Sequence, residues 1–448
     1  MRSGEIQLLV TVLLFFALGY LLVAMTMTNQ AFEPTVRTVA DVLWPSVLPF
    51  ILFIGLSLVM GWLTPEADQM MLPLVALLAG LGLLMTARLE PDLASISPEF
   101  RGIDARQSLW VTLGVAALAI ILFVPWDTIL RRNFRTSFFD WLDHNRYVWL
   151  FLGLMLIIAT FGLGVDPNQS GVRAWFRLGP ILFQPSELLK IILVFFLASY
   201  LNEHRELVSR GYRLGPLILP PLPYLIPLGG MWGIAMGLII FQRDLGAALL
   251  LFGVFLAMLY VATNNGWYVG AGLFAFGIGS YVLYNVVAIV KTRVSIWLDP
   301  WATAQGSGYQ IIQSIFSLAS GGLLGSGLGR GYPTIVPAAH TDYVFTAIGE
   351  ELGLFGTLGV LIAYILLIFR GYVIALRIQG RFRGFEQLIV IGLTTIFALQ
   401  TFIIVGGNLR IIPLTGITLP FVSYGGSSVL INFAMIGLLL RISSGASR

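Results

Sequence analysis

Long apolar runs separated by short polar stretches repeat along the whole chain. Measured against the roughly 20 residues that an α-helix needs to cross a bilayer, they predict twelve spans. These lie near 6–27, 40–62, 70–88, 108–125, 148–165, 187–203, 218–241, 244–262, 267–290, 342–369, 385–408 and 416–442. The expected fold is therefore all-α, a polytopic transmembrane helix bundle, with one long connection at 291–341. The first run follows Arg2 and, at about 20 residues, exceeds the 7–15 of a secretory signal core, so it reads as an uncleaved anchor.

Arginine collects in three of the short loops: Arg131, Arg132, Arg135 and Arg146 in one, Arg205, Arg210 and Arg213 in the next, and Arg370, Arg377, Arg381 and Arg383 in a third. The positive-inside rule makes these loops cytoplasmic. Both termini are then inside and the 291–341 connection is outside. The loop at 63–69 carries acid and no base, against the trend.

Composition agrees with a membrane chain. Of 448 residues, 57% are hydrophobic and only 11% charged, and the mean hydropathy is +0.88, whereas a soluble domain carries about a quarter charged residues. The net charge of +4 comes from 26 basic and 22 acidic residues spread without the dense basic stripe of a nucleic-acid binder, so no nucleic-acid partner is expected. With no cysteine there is no disulfide, thiol nucleophile or thiolate metal site. The three histidines, His144, His204 and His340, are too scattered for a zinc site, and no resident metal is expected.

Charges placed in hydrocarbon are costly and are functional candidates by default. The segment Phe183-Gln184-Pro185-Ser186-Glu187-Leu188-Leu189-Lys190 opens the sixth span. Ser186 is expected to cap the helix, Glu187 to sit in the first turn where the helix dipole favours an anion, and Lys190 to neighbour Glu187 three residues on. The pair either pins this helix end or lets Lys190, one of two lysines in the chain, present a cation to a phosphate. In the outer connection, the glycine-rich stretch 321–331 lacks the Gly-Lys-Ser/Thr ending and the preceding strand of a nucleotide loop. At about 50 residues the connection is too long to be a mere linker, and it is expected to fold back over the outer membrane surface. Asp342 falls where it enters the tenth span. There a carboxylate stays ionised yet reaches a substrate anchored in lipid, the alternative being a helix-capping or interface role. Glu350 and Glu351 lie about 12 Å deeper on the same helix. Glu350 is expected on the Asp342 side, paired with a buried arginine or backbone donor rather than catalytic, with Glu351 turned away. The last polar cluster holds Arg410, Ser423, Gly425 and Gly426. Close helix packing explains it, as does a broken helix lining a cavity.

Three segments together resemble the SEDS family (shape, elongation, division and sporulation) typified by FtsW, RodA and SpoVE: FQPSELLK at 183–190, TDYVFTAIGEELG at 341–353 and LPFVSYGGSS at 419–428, supported by GVRAWFRLG at 171–179 and LDPWATAQGSGYQIIQS at 298–314. The likeness covers roughly 70–442, the family's ten spans. The chain then divides into a two-span extension, 1–66, as in one branch of RodA-type proteins, and a SEDS membrane domain, 67–448. Where many members read Gln-Pro-Asp-Leu-Gly, this chain has Gln242-Arg243-Asp244-Leu245-Gly246. The resemblance implies a peptidoglycan glycosyltransferase of the bacterial cytoplasmic membrane. It would polymerise lipid II, the undecaprenyl-pyrophosphate disaccharide pentapeptide, at the outer face for elongation or division, in company with a class B penicillin-binding protein transpeptidase. The family's essential aspartate in its His-Thr-Asp segment carries over to Asp342, read as the general base. Lys190, Arg173, Arg243, Arg293 and Arg410 are the cations expected to meet the pyrophosphate, with Glu187, Asp244 and Asp299 beside them. No cofactor is required by this reading, and a divalent cation, Mg or Mn, bridging Asp342 or Asp299 to the pyrophosphate is compatible with it. The rivals are a lipid II flippase or transporter, which intramembrane charge and a glycine-broken last span would also suit, and a scaffold without chemistry.

Overall fold

The structure is a computed structural model that describes residues 2–27, 36–166, 173–179, 181–209, 212–214, 217–219, 222–378 and 383–446. Arg210, Arg381, positions 220–221 of the seventh apolar run, and Gly171 and Val172 of the GVRAWFRLG segment lie outside the described residues. In chain order the helices are α1 (Ser3–Met27), α2 (Val36–Leu63), α3 (Met71–Ile96), α4 (Ile103–Phe123), α5 (Trp126–Phe134), α6 (Phe138–His144), α7 (Arg146–Leu163), α8 (Pro185–Ser209), α9 (Leu222–Phe241), α10 (Leu245–Thr263), α11 (Gly266–Val286), α12 (Ala288–Leu298), α13 (Tyr309–Gly321), α14 (Val344–Arg377), α15 (Gly384–Asn408) and α16 (Gly426–Ala446). Eleven helices among the described residues are long and apolar enough to cross a membrane, and the apolar part of α9, Ile226–Phe241, adds a shorter twelfth.

Four features depart from the expected pattern. Two antiparallel hairpins break the all-helical rule, β1 (Phe176–Leu178) with β2 (Ile181–Phe183) and β3 (Tyr212–Leu214) with β4 (Leu217–Leu219). The 291–341 connection is partly helical, holding most of α12 and all of α13. The last span begins at Gly426 rather than 416, because 409–425 is irregular. Finally, α14 starts at Val344 and is interrupted at Gly353, whose φ of 67° and ψ of −165° are not helical.

The chain forms two compact units. One comprises Met1–Phe123, Thr292–Arg370 and Gln400–Arg448, the other Val124–Lys291 and Gly371–Leu399. In the first, α16 packs most extensively on α4, and α1 and α2 pack against α3 and α4. Nearly all of α3 is buried. At Gly82 of α3 a methyl group would come within 2.6 Å of the Phe421 carbonyl oxygen, so the irregular segment 409–425 lies against bare backbone. Its Leu419, Phe421 and Val422 are buried, and the Pro420 carbonyl accepts from the Tyr364 hydroxyl at 2.5 Å. Irregular backbone at membrane depth survives where protein surrounds it in this way.

A buried ionic cluster ties the ends of several spans in this unit. Arg2 pairs with Glu5 and donates to the carbonyls of Thr64 (2.9 Å) and Asp68 (2.8 Å). The Asp68 carboxylate accepts from the backbone N–H of Met70 (3.0 Å) and Met71 (3.2 Å) at the start of α3 and from Arg370 on α14. The Asp68 N–H donates to Ser443 on α16 at 2.9 Å. Asp68, one of the two acids in the 63–69 loop, is thus neutralised by an arginine distant in sequence.

In the second unit, α8 packs on α7 and α10. The arginine-bearing stretch after α4 is two short helices, α5 and α6. The first is closed by Arg135 in the left-handed region (φ 58°) and the second is capped by Ser137, whose hydroxyl accepts from Asp140 N–H at 3.2 Å.

Candidate active site

Asp342 sits in a tight turn two residues before α14. The N–H groups of Thr341 and Tyr343 both donate to the Ala338 carbonyl, at 3.0 and 3.2 Å, with Ala338 itself left-handed (φ 58°). Val336, Ala339 and Tyr343 bury the apolar side of the turn against Ile311 and Leu414. The last polar cluster fixes the turn from the other side. Ser423 Oγ donates to the Thr341 carbonyl at 2.6 Å and accepts from Leu419 N–H at 2.8 Å, and Tyr424 N–H donates to the His340 carbonyl at 2.9 Å. The segments 341–353 and 419–428, read separately along the sequence, therefore meet here. Gly426 lets α16 start against α4, since a methyl there would strike the Trp110 indole at 2.0 Å, and at Gly425 one would meet Thr418 at 3.2 Å.

The helix ladder begins with Ala347 N–H on the Tyr343 carbonyl at 3.0 Å, which places Asp342 outside the capping position. Its half-buried carboxyl is pushed up to about 6 by burial, against the Thr341 hydroxyl bond and the positive charge of Arg293, which lower it. Arg293, on α12, also donates to the Thr415 carbonyl at 3.1 Å. Burial, assisted by the charge of Arg106, pushes the neighbouring His340 down to about 4, so its imidazole is neutral. Its ring lies between those of Phe100 (centroids 5.1 Å apart) and Tyr424 (5.8 Å).

The other candidates of this unit have structural partners. Arg410, left-handed at φ 58°, donates to the carbonyls of Trp297 (2.8 Å) and Leu298 (2.6 Å) at the end of α12, while Trp297 Nε1 donates to the Arg410 carbonyl at 3.0 Å. Asp299 accepts from the N–H groups of Trp301 (3.1 Å) and Ala302 (3.3 Å). Glu350 accepts from Tyr332 N–H at 2.6 Å and from the Ser317 hydroxyl of α13, so its expected backbone partner is present. Glu351 is completely buried and forms an ion pair with Arg88 of α3 at 2.8 Å. The α14 break lies just beyond this pair. At Gly353 a methyl would lie 2.3 Å from Gly325 N, and the freed carbonyls of Glu350 and Glu351 accept from Ser326 N–H (2.9 Å) and Gly327 N–H (3.0 Å). The glycine-rich stretch thus gives α14 the N–H groups of Ser326, Gly327 and Gly329. Arg88, Asn408 and His340 were not singled out from the sequence as site residues. For Arg88 a signal existed, a lone arginine within an apolar run.

In the second unit, Glu187 and Lys190 form the expected ion pair, at 2.7 Å. Ser186 is not the helix cap. Pro185 takes the first helical position, as its fixed φ and missing N–H allow, and the Ser186 hydroxyl goes instead to Asp244 Oδ2 at 3.3 Å, joined by Gln184 Nε2 at 3.1 Å. Asp244 caps α10 through Ala247 N–H at 3.0 Å. Burial raises its carboxyl above the usual range. The charge of Glu187 adds to the rise, while Ala247 N–H, Lys190 and the Ser186 hydroxyl oppose it. Arg243 is exposed at φ 60° and closes α9, its N–H on the Ile240 carbonyl (2.9 Å) and that of Asp244 on Ile239 (3.1 Å). This Schellman-type ending needs an N–H and a positive φ, neither of which proline supplies. Arg173 is exposed. Among the described residues no group of three or more His, Asp or Glu could hold a metal ion.

Fold and site together define a polytopic helical membrane protein with a half-buried carboxylate at the mouth of a span. The chain belongs to the cell cycle protein family of FtsW, RodA and SpoVE, whose model matches residues 68–448, and is a multi-pass protein of the cytoplasmic membrane. It is 41% identical over 386 residues to the peptidoglycan glycosyltransferase RodA of Mycobacterium tuberculosis, covering 86% of this chain and 79% of that one. With the RodA of Mycobacterium leprae it shares 37% over 396 residues, 88% and 82% of the two chains. Among solved structures, it is similar to a chain from work on the structural coordination of polymerization and crosslinking by a peptidoglycan synthase complex (TM-score 0.66, 28% identity, 85% of this chain and 99% of that one). It is also similar to the rod shape determining protein RodA of Thermus thermophilus (TM-score 0.57, 26% identity, 87% and 99%).

Proposed function

We infer that this chain is a peptidoglycan glycosyltransferase that polymerises lipid II into glycan strands at the outer face of the membrane, with Asp342 as general base. The observation that carries the assignment of the base is the state of that side chain. It sits outside the helix cap, half-buried, with its carboxyl raised to about 6. A base with that affinity is largely ionised at pH 7 yet accepts a proton more readily than an ordinary carboxylate. The acceptor's 4-hydroxyl attacks the anomeric carbon of the donor, its proton passes to Asp342, and the bond from that carbon to the phosphate oxygen breaks, with the electron pair leaving on undecaprenyl pyrophosphate. In-line displacement inverts the α-linked donor to a β-linked product. Unlike a sugar alkoxide, which needs a carboxylic acid to protonate it, pyrophosphate leaves once its growing charge is met by cations. Arg293, whose charge already bears on Asp342, is the cation of this unit proposed for that role. The Glu187–Lys190 pair with Asp244 is proposed as a phosphate-binding group of the other unit.

The proposed topology puts both termini inside. It is supported by the Asp68–Arg370 pair, which brings the 63–69 loop to the arginine-bearing end of α14. Residues 1–66 are proposed as an extension to the family domain, and a class B penicillin-binding protein as the partner that crosslinks the strands. The rival, a flippase, draws on the irregular buried segment 409–425. Against it, Asp342 lies in a connecting turn and not within a span, where a transporter's coupling site belongs.

The test is polymerisation of purified lipid II by the wild type and Asp342→Asn, run beside a flipping assay in sealed vesicles. Loss of strand synthesis by about 10²–10⁴ in the variant is expected. A folded variant that polymerises at the normal rate refutes the base, and lipid movement without polymer by the wild type favours the flippase.

A further inference from the structure

The backbone of Asp342 is held by a residue that the proposed chemistry does not use. Asn408 closes α15 and is 2% exposed. Its Nδ2 donates to the Asp342 carbonyl at 2.8 Å and to the Ile404 carbonyl at 3.0 Å, and its Oδ1 accepts from Thr346 Oγ1 at 2.9 Å. The Thr346 hydroxyl in turn lies 3.2 Å from Ser314 Oγ of α13. A primary amide offers two N–H donors and one acceptor oxygen, and here both donors and the oxygen are engaged. One side chain therefore joins the end of α15, the turn bearing the carboxylate and the first turn of α14, with α13 attached through Thr346.

The chemistry of these bonds is selective. An aspartate at 408 would turn acceptors toward two carbonyls, and an alanine would take the side-chain donor from the Asp342 carbonyl and the acceptor from the Thr346 hydroxyl in a buried place. Because the Asp342 carbonyl and carboxyl hang on the same α-carbon, letting the carbonyl swing moves the carboxylate as well. Displacements of about 1 Å at a reacting group cost on the order of 10²-fold in rate.

We propose that Asn408 is a positioning residue that sets where the Asp342 carboxylate meets the acceptor hydroxyl. The inference rests on the reading of Asp342 as the base.

Purified full-length chain is assayed on lipid II, with kcat and KM determined separately and folding followed by the melting temperature. Asn408→Ala is expected to lower kcat by about 10²-fold with KM little changed, and Thr346→Val, which removes the bond to Oδ1 and the link to Ser314 but leaves the bond to the Asp342 carbonyl, by a smaller factor. Repeating Asn408→Ala on an Asp342→Glu background, where the carboxylate is already displaced by one methylene, should cost much less than it does on the wild type. An unchanged kcat in folded Asn408→Ala, a change confined to KM, or equal fold-losses on both backgrounds overturns the proposal. If Asn408→Ala does not fold, Thr346→Val carries the same comparison. The base reading fails on a separate result, full activity of Asp342→Asn, so the two failures are distinguishable.

Discussion

The chain enters α14 beside one acidic residue and breaks the helix beside two others, and the two places treat their carboxylates in opposite ways. Glu351 is completely buried and answered by Arg88 and by Gly329 N–H at 3.1 Å, with Glu350 next to it held by Tyr332 N–H and a serine. Asp342 has the Thr341 hydroxyl and the field of Arg293, and burial outweighs both. A carboxylate with a donor on each of its two oxygens anchors structure, while one half-buried in a turn at a mouth is placed to take a proton. The strongest way to break this contrast is Asp342→Asn. Polymerisation should fall by about 10²–10⁴, while the melting temperature above pH 6 stays at or above that of the wild type, because a neutral amide removes a charge that the fold tolerates poorly. A variant that loses stability along with activity would make Asp342 another anchor.

The reverse holds at the break. Arg88→Ala leaves Glu351 charged, buried and unpaired, a loss of about 3–5 kcal/mol where one partner of a buried pair is removed. Thermal unfolding should register it, and the rate per folded molecule should change far less than in Asp342→Asn. Replacing both partners, Arg88→Leu with Glu351→Gln, should recover part of the stability.

The pH dependence sharpens the comparison. The folded chain holds the Asp342 proton up to about pH 6, against an ordinary carboxylate value of 3.8, so kcat should fall about tenfold per pH unit below 6 and level off above it. The same shift fixes the sign for stability. Between those two values the folded state binds a proton that the unfolded state has released, so this group's contribution weakens as pH rises through the window. His340, lowered to about 4, stays neutral throughout the plateau. A rate profile flat from pH 5 to 8, with chemistry limiting, would contradict the assignment.

How far the sequence carried depends on which physical signal each feature leaves. Twelve apolar runs were legible because span length is set by the bilayer, and the Glu187–Lys190 pair because i, i+3 spacing fixes neighbours on a helix. Residues 416–425 read as the start of the last span because Ile417, Leu419, Phe421 and Val422 are as apolar as any helix, and hydropathy does not register backbone shape. The signals to the contrary were Pro413 and Pro420, flanked by left-handed Arg410 and Phe421. Ser186, expected at the cap, stands at the second helical position, two steps past it, because Pro185 claims the first. The meeting of Ser423 with Thr341 and of Asn408 with Asp342 left no trace, since contacts 82 and 66 residues apart have no local pattern.

Arg410 supplies the smallest effect and the finest discrimination between anchor and participant. Its guanidinium lies on the last carbonyls of α12, where a cation at a helix C-terminus contributes about 0.3–1 kcal/mol, and its backbone occupies a left-handed conformation that costs a non-glycine residue about 1–2 kcal/mol. Arg410→Ala loses the cap and keeps the strain. Arg410→Gly loses the cap and relieves it, so glycine should match the wild type in stability and exceed alanine by roughly 1 kcal/mol. If the side chain serves only the end of α12, both variants keep the wild-type KM for lipid II. If it also meets the pyrophosphate, both raise KM or lower kcat equally, whatever their stabilities. Separating stability, which should depend on the residue chosen, from kinetics, which should not, assigns Arg410 to one side of the contrast that Glu351 and Asp342 define.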